Sequence, residues 1–298
     1  MPRFGDAERH IARLLHSGCT FVLGSDCYTI VESGKPTCRN GEPKTDIYVA
    51  AESDRGELIE IKISYKKDNA DFIENKTSSE RAEALLGVNW SEIIQDATES
   101  ISRAFDNKKL IFKTRGGRTQ AGAITLGWKY ELLNKTGGEL SGRVNLTRDQ
   151  IIDVYAGTHL SIDKRDASVN GHVIRYSGVA NYVLMGDDFS STQEVIDNLY
   201  TVDEYVNMHP EIYFACKALN YRTFEGKYDG NRPLSVYVHW YVRNGRLCHR
   251  LVYDRPLLVG GNVAADYLLN ALDELGVDTT DDICDEMLAD PSIIHDNS

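Results

Sequence analysis

A chain of 298 residues, 42% of them hydrophobic and 26% charged, can bury the core of one large domain or two small ones. No apolar run approaches the length of a membrane span, and the N-terminal residues lack the apolar core of a signal peptide, so we expect a cytoplasmic protein with no membrane partner. The six cysteines form no CxxC pair, which argues against a zinc site or a disulfide framework.

The net charge of −12 is unevenly distributed along the chain. Ten acidic residues and no basic residue follow Arg255. Without these ten, residues 1–255 carry 35 acidic against 33 basic side chains, which is nearly neutral. The acidity is therefore mainly a property of the C-terminal tail, and it does not exclude a nucleic-acid partner for the rest of the chain.

In the first half, Asp6 is expected to cap a helix in which Ile11, Leu14 and Leu15 form an apolar stripe. Alternating and buried-type runs then predict short strands, and a buried helix face recurs from Ile93 to Phe105. In chain order, the predictions are strands at 20–23, 28–31, 47–51 and 58–63, a helix at 91–105, and strands at 110–112 and 123–128.

In the second half, the dipeptide Asn244-Gly245 predicts a tight hairpin turn between two aromatic-rich strands. The fold class is therefore mixed, α/β or α+β, with a boundary placed near residue 140 that divides the chain into 1–140 and 141–298. The predicted elements are helices at 149–155, 193–205, 211–219 and 264–275, strands within 173–184, and hairpin strands at 234–242 and 246–253.

The hairpin at 47–63 carries the most informative polar residues. Asp46 follows Pro43-Lys44-Thr45 at the start of the first strand, and Glu60 and Lys62 share one face of the second because strand side chains alternate. If Asp46 pairs opposite either Glu60 or Lys62, two carboxylates and one ammonium converge on one patch. Such a patch suits a hard divalent cation and a water that it activates.

A Pro-x-x-Asp approach to one strand and Glu-x-Lys on the next, after an N-terminal helix, resembles the PD-(D/E)xK nuclease superfamily. The resemblance covers roughly residues 6–115. It implies a restriction-endonuclease-like core, with a central mixed sheet flanked by helices, and a mixed α+β C-terminal half. In the family pattern Pro stands directly before Asp, whereas Lys44 and Thr45 intervene here.

Carried onto this chain, the resemblance implies that Asp46 and Glu60 bind Mg²⁺, for which Mn²⁺ could substitute, with the carbonyl of Ile61 as an extra ligand. Lys62 would position or help to deprotonate the attacking water. Glu8 on the first helix is either an additional active-site acid or a solvated first-turn acid that the helix dipole favours.

Residues 107–130 contain six basic and no acidic side chains. Within them Lys113, Arg115 and Arg118 lie on a glycine-containing loop that either binds phosphate or is a solvated turn. Lys66 and Lys67, just after the Glu-x-Lys strand, are also placed to meet a phosphate. The acidic tail either covers the basic loop, deters nonspecific binding, or is a solvated end.

These observations predict a Mg²⁺-dependent endonuclease that hydrolyses DNA, with Asp46, Glu60 and Lys62 as catalytic residues. We expect it to be homodimeric, the usual arrangement of restriction-type enzymes. The alternatives are a non-catalytic nucleic-acid-binding protein on a nuclease-like scaffold and an interaction protein whose acidic tail engages a basic partner.

Overall fold

A computed structural model describes residues 4–67, 72–74, 77–186 and 188–297. The chain divides into two compact units, each made of two separate stretches. Unit 1 comprises Met1–Ile73 and Leu146–Glu211, and unit 2 comprises Glu74–Asn145 and Ile212–Ser298. The predicted boundary near residue 140 lies close to one of the three borders, but the two units alternate along the chain instead of following one another.

The helices and strands are numbered in chain order. The helices are α1 (Phe4–Leu14), α2 (Ser79–Leu86), α3 (Trp90–Glu99), α4 (Ser102–Asp106), α5 (Arg148–Ala156), α6 (Ile162–Arg165), α7 (Thr192–Asp197), α8 (Val202–Met208) and α9 (Gly261–Leu275). The strands of the first half are β1 (Thr20–Leu23), β2 (Asp26–Gly34), β3 (Ile47–Ser53), β4 (Leu58–Lys66), β5 (Phe72–Glu74), β6 (Ile111–Phe112), β7 (Ala123–Leu133) and β8 (Ser141–Val144). Those of the second half are β9 (Ser168–Val169), β10 (His172–Val173), β11 (Tyr182–Met185), β12 (Leu199–Thr201), β13 (Ile212–Arg222), β14 (Lys227–Tyr228), β15 (Pro233–Leu234), β16 (Val236–Arg243), β17 (Arg246–Val252), β18 (Val259–Gly260) and β19 (Ile294–His295).

Within its described residues, unit 1 contains a mixed sheet with the strand order β1-β2-β3-β4-β11-β12. Neighbouring strands are antiparallel except β4 and β11, which run parallel. This arrangement confirms the predicted mixed α/β class with a sheet flanked by helices.

Side-chain alternation along the central strands explains how the sheet of unit 1 is covered. Ile61, Ile63 and Tyr65 of β4 are buried in one core with Ile11 and Leu15, at the N-terminal helix. Burying each such aliphatic side chain contributes roughly 1.5–3 kcal/mol. Because alternate residues face opposite sides, the even-numbered positions of β4 remain for polar groups.

Unit 2 is built on a second sheet, with the path β14-β13-β7-β16-β17 among the described strands. Helix α9 packs against β16, where the rings of Tyr237 and Tyr267 stack at 6.3 Å. Phe105 of α4 packs edge-on against Trp128, with 4.9 Å between ring centroids. Such ring contacts stabilise unit 2 because aromatic side chains bury large apolar surfaces.

The structure corrects the predicted helix at 211–219, which is wrong: this segment is the long strand β13. Ile212 and the run from Phe214 to Cys216 are buried, and β13 pairs along its length with β7. The predicted helices at 91–105 and 193–205 are each interrupted, the first at Ser100–Ile101 and the second by β12. In contrast, the predicted first helix, both hairpins and the helix before the tail are confirmed.

The acidic tail is partly built into unit 2. Ile283, Leu288 and Ile293 are buried, and β19 pairs in parallel with β6. All six cysteines are free thiols. Among the described residues, no helix is long and apolar enough to cross a bilayer.

Candidate active site

The register of hairpin β3–β4 decides which side chains the two strands bring together. Tyr48 lies opposite Lys62. Ala50 lies opposite Glu60. The pairing of Asp46 with either of them is therefore wrong, since the turn length fixes the register and Asp46 precedes the first residue of β3.

Glu60 and Lys62 form a small polar group with a tyrosine instead. The Tyr48 hydroxyl donates a hydrogen bond to Glu60 Oε1 at 2.6 Å, and Lys62 Nζ lies 3.4 Å from Glu60 Oε2. Burial and this hydrogen bond raise the pKa of Tyr48, so its hydroxyl remains a donor at neutral pH. These contacts satisfy both side chains without Asp46.

The backbone around these residues is also held. Asn181, just before β11, accepts a hydrogen bond from Lys62 N at 2.7 Å and donates one from Nδ2 to the Glu60 carbonyl at 2.9 Å. Ile61 is buried and pairs with Val49 in the β3–β4 ladder. The role of the Ile61 carbonyl as a metal ligand stays a prediction.

Asp46 occupies a different environment, at the point where the β3–β4 ladder ends. Its Oδ2 accepts a hydrogen bond from Tyr65 N at 2.8 Å, and its own N–H donates to the Ile63 carbonyl at 2.8 Å. If β3 were longer, one of its backbone carbonyls would accept the hydrogen bond from Tyr65 N. Here the Asp46 carboxylate accepts it instead. Burial raises the pKa of Asp46 to about 6, because desolvation disfavours the charged form.

The charges that act on Asp46 identify its neighbours. Lys66 and Lys35 lower the pKa of Asp46 and Glu8 raises it, all against the larger effect of burial. Glu8, on α1, forms an ion pair with Lys35 at 2.7 Å and its side chain is only 13% exposed. Glu8 is therefore not the solvated helix acid that one alternative predicted, and it lies within electrostatic range of Asp46.

Ser64 completes this group. One step beyond the pair of Ile47 and Ile63, the register places Ser64 opposite Asp46, and Ser64 is fully buried. No described residue forms a hydrogen bond with its Oγ. Since Lys66 lies two residues further along β4, Ser64 and Lys66 share a strand face.

We call the five residues described above the Asp46 cluster. Its members are Glu8, Lys35, Asp46, Ser64 and Lys66. It offers two carboxylates, two ammonium groups and one buried hydroxyl without a described partner, so oppositely charged groups converge at the end of a buried hairpin. Such a mixture can hold a cation and an anion side by side.

Sequence reasoning found Asp46, Glu8 and Lys66 but missed Ser64 and Lys35. A usable signal was present, because Ser64-Tyr65-Lys66 repeats the polar-x-Lys spacing of Glu60-Ile61-Lys62 on the same strand. Only the register shows that this second triplet, and not the first, lies beside Asp46. Lys67, the other predicted phosphate contact here, directly follows β4 and is partly buried.

The predicted basic loop belongs to unit 2. Arg115 and Arg118 are exposed, whereas Lys113 is partly buried and its N–H donates to the His295 carbonyl at 3.0 Å. The tail strand β19 therefore contacts the base of the loop and leaves its two arginines open to solvent. The tail therefore does not cover the arginines of the basic loop, and it is also not simply a solvated end, because β19 pairs with β6.

No group of three or more Asp, Glu, His or Cys side chains gathers as a metal site within the described part of the chain. Comparisons with models of protein families, with curated proteins and with solved structures find no match for this chain.

Proposed function

We propose that the chain is a Mg²⁺-dependent endonuclease that hydrolyses phosphodiester bonds of DNA, with the Asp46 cluster as its centre. The observation that carries the proposal is the half-buried Asp46 carboxylate, with a pKa of about 6, beside a second acid and two lysines. Holding a desolvated carboxylate next to Glu8 opposes folding, and such strained ionisation is typical of functional sites.

The donor set fits a magnesium ion. Mg²⁺ commonly uses one or two protein carboxylates and keeps several waters, so Asp46 and Glu8 suffice without a third acid. The unpartnered Ser64 hydroxyl adds an oxygen on the same side. When bound, the ion would lower the pKa of a coordinated water and neutralise charge on the phosphate.

The lysines supply the positive charge that the chain itself contributes. Lys66, at the end of β4, would stabilise the negative charge that develops on the scissile phosphate, as Lys62 would in the first interpretation of the motif. Lys35 balances Glu8 in the resting protein. The Tyr65 N–H fixes the orientation of Asp46.

Duplex DNA as the substrate and a homodimer as the active form belong to the same proposal. A two-fold dimer would present two centres and cut both strands. Sedimentation velocity with and without a duplex in EDTA would measure the oligomeric state, and a monomer under both conditions would contradict the dimer.

A second candidate function is non-catalytic nucleic-acid binding, and one observation favours it. Each acid already has a partner: Asp46 accepts from Tyr65 N, and Glu8 and Glu60 each lie near a lysine. The Asp46 cluster would then be a buried ion-pair network that stabilises unit 1.

The deciding experiment measures cleavage of supercoiled plasmid by the full chain with Mg²⁺, Mn²⁺ or EDTA. Asp46→Asn, Glu8→Gln and Lys66→Gln should each lower the rate by about 10²-fold or more, the usual loss when a stabilising group is removed. Glu60→Gln and Lys62→Gln should keep it within about threefold. Glu57→Gln, on the exposed hairpin turn, is the control for charge loss.

Each outcome separates the interpretations. Cleavage that survives Asp46→Asn and Lys66→Gln refutes the proposed centre. Loss of cleavage in Glu60→Gln and Lys62→Gln, but not in Lys66→Gln, moves the centre to the Glu-x-Lys motif. Metal-independent binding without cleavage, on DNA and RNA, selects the second candidate.

A further inference from the structure

The second hairpin, β16–β17 in unit 2, carries basic side chains that its own neighbours do not neutralise. Asn244 and Gly245 form its turn with φ angles of 53° and 69°, as a tight hairpin turn requires. The register places Arg243 directly opposite Arg246. Like charges in directly opposed positions destabilise a strand pair.

Arg243 and Arg246 are exposed, and no described carboxylate forms an ion pair with either of them or with Arg250 on the same face. A second opposed basic pair in the same unit, Arg222 with Lys227, is different. Arg222 pairs with Asp229 at 2.7 Å, and Lys227 pairs with Glu225. Carboxylates thus neutralise the pair Arg222 and Lys227, whereas the pair Arg243 and Arg246 is free to bind an anionic ligand.

The available pair borders an open cleft of about 660 Å³. Its lining includes Tyr241, Arg243, Arg246, His249, Ala289 and Asp290. One wall is fixed by the backbone, because Ala289 N donates to the Leu247 carbonyl at 3.0 Å. The ring of Tyr241, 36% exposed, lies on the arginine face of the hairpin.

One acid lines the cleft, and it is engaged elsewhere. Asp290 Oδ1 accepts a hydrogen bond from Ser292 N at 2.9 Å, and hydrogen bonding by the side chain and the backbone of Ser292 lowers the pKa of Asp290. Burial lowers the pKa of His249, which disfavours its charged form. The arginines therefore dominate the charge at the rim.

We infer that Arg243 and Arg246 bind neighbouring phosphates of a nucleic-acid backbone along this cleft, with Tyr241 placed to stack against an unpaired base. Two forked guanidinium groups suit phosphate oxygens, and an exposed aromatic ring suits a base of a single strand. The inference concerns unit 2 alone and does not depend on the proposed cleavage by unit 1.

The test is fluorescence anisotropy of the full chain with a labelled single strand and a labelled duplex, in EDTA, over a salt series. Arg243→Gln/Arg246→Gln should weaken binding by about tenfold or more. It should also reduce the slope of log K against log salt by about 1.8 for duplex and 1.4 for single strand, the values for two lost phosphate contacts. Arg222→Gln/Lys227→Gln removes the same two charges from the neutralised pair and should stay within about twofold.

Tyr241→Leu identifies the form of the strand: weakened binding of the single strand alone supports stacking, and unchanged binding of both forms overturns the role of Tyr241. Equal losses in the two double variants, or no binding by the wild type, overturn the inference. Displacement by inorganic phosphate or a mononucleotide at matched phosphate concentration also overturns it, because the cleft would then hold a small anion. Asp46→Asn should bind like the wild type, which separates this surface from the proposed centre.

Discussion

Replacing Asp46 with Asn tests the physical basis of the proposed centre without a substrate. The substitution removes the charge but keeps an oxygen that can accept the hydrogen bond from Tyr65 N. We expect Asp46→Asn to be more stable than the wild type at pH 8 in EDTA. Replacing a residue that serves function at a cost in stability is expected to stabilise the protein.

The magnitude follows from the pKa of Asp46, which is about 6 in the folded chain against 3.8 ordinarily. A tenfold change in a proton-binding constant corresponds to about 1.4 kcal/mol. The full difference between the two pKa values would give about 3 kcal/mol, and because Asp46 is only half-buried we expect about 1–3 kcal/mol.

The sign sets the pH dependence. Between the two pKa values the folded chain binds more protons than the unfolded chain, so wild-type stability falls as pH rises from about 4 to above 6. Asp46→Asn lacks this loss, so its advantage should be absent near pH 4 and complete by pH 8. Added Mg²⁺ should then stabilise the wild type and not the variant, by about 1.4 kcal/mol at ten times the dissociation constant.

The assay must report on unit 1. All three tryptophans, Trp90, Trp128 and Trp240, lie in unit 2, so their fluorescence follows the wrong part of the chain. Hydrogen exchange of peptides covering β3 and β4, with urea titrations followed by circular dichroism, measures the relevant free energy. Equal or lower stability of Asp46→Asn at pH 8, or an advantage that is the same at pH 4 and pH 8, would refute the argument from desolvation. Asp54→Asn, on the exposed hairpin turn, is the matched control.

Three further predictions concern the rest of the fold. Trp240→Phe removes a buried hydrogen bond from Nε1 to the Thr125 carbonyl and should cost about 1–3 kcal/mol in a urea titration, whereas a change below about 0.5 kcal/mol would contradict the role of that bond. Tyr48→Phe removes the hydrogen bond to Glu60, so it should cost about 0.5–1.5 kcal/mol while plasmid cleavage changes less than about threefold; a larger loss of cleavage would return Glu60 to the centre. Gly127→Ala would place Cβ 2.5 Å from a backbone oxygen of β16 at a φ of 151°, so it should cost at least about 2 kcal/mol or prevent folding, and a neutral result would contradict the close strand approach.

Local patterns account for the elements that the sequence predicts well. Helix α1 shows apolar residues at helical spacing. The turn of β16–β17 contains Asn244-Gly245, one of the dipeptides favoured where both turn residues have positive φ. Strand β4 alternates in sequence because Ile61, Ile63 and Tyr65 face the core while Glu60, Lys62 and Lys66 face the other side. In each case the information lies within one continuous stretch of the chain.

Contacts between distant segments account for the errors. The segment at 211–219 contains Ala215, Cys216 and Ala218 and shows no strict alternation, so it could be a buried helix or a buried strand. Its strand conformation is decided by β7, which lies some eighty residues earlier in the chain. The same applies to unit 1, whose β11 joins β4 only after an excursion through unit 2.

The candidate centre shows the same division between local pattern and register. Glu60-Ile61-Lys62 and Ser64-Tyr65-Lys66 have the same spacing on β4 and present their polar residues on the same strand face. Composition alone favours the first triplet because it contains an acid. The two triplets differ in their position relative to the start of β3. Within the ladder, backbone groups form hydrogen bonds with the partner strand. At its end the Tyr65 N–H has no backbone partner and donates to the Asp46 side chain. A carboxylate held there is desolvated, is fixed by the sheet and is near enough to feel the charge of Glu8 on α1. This hairpin can therefore gather opposite charges at the end of the ladder and not in its middle.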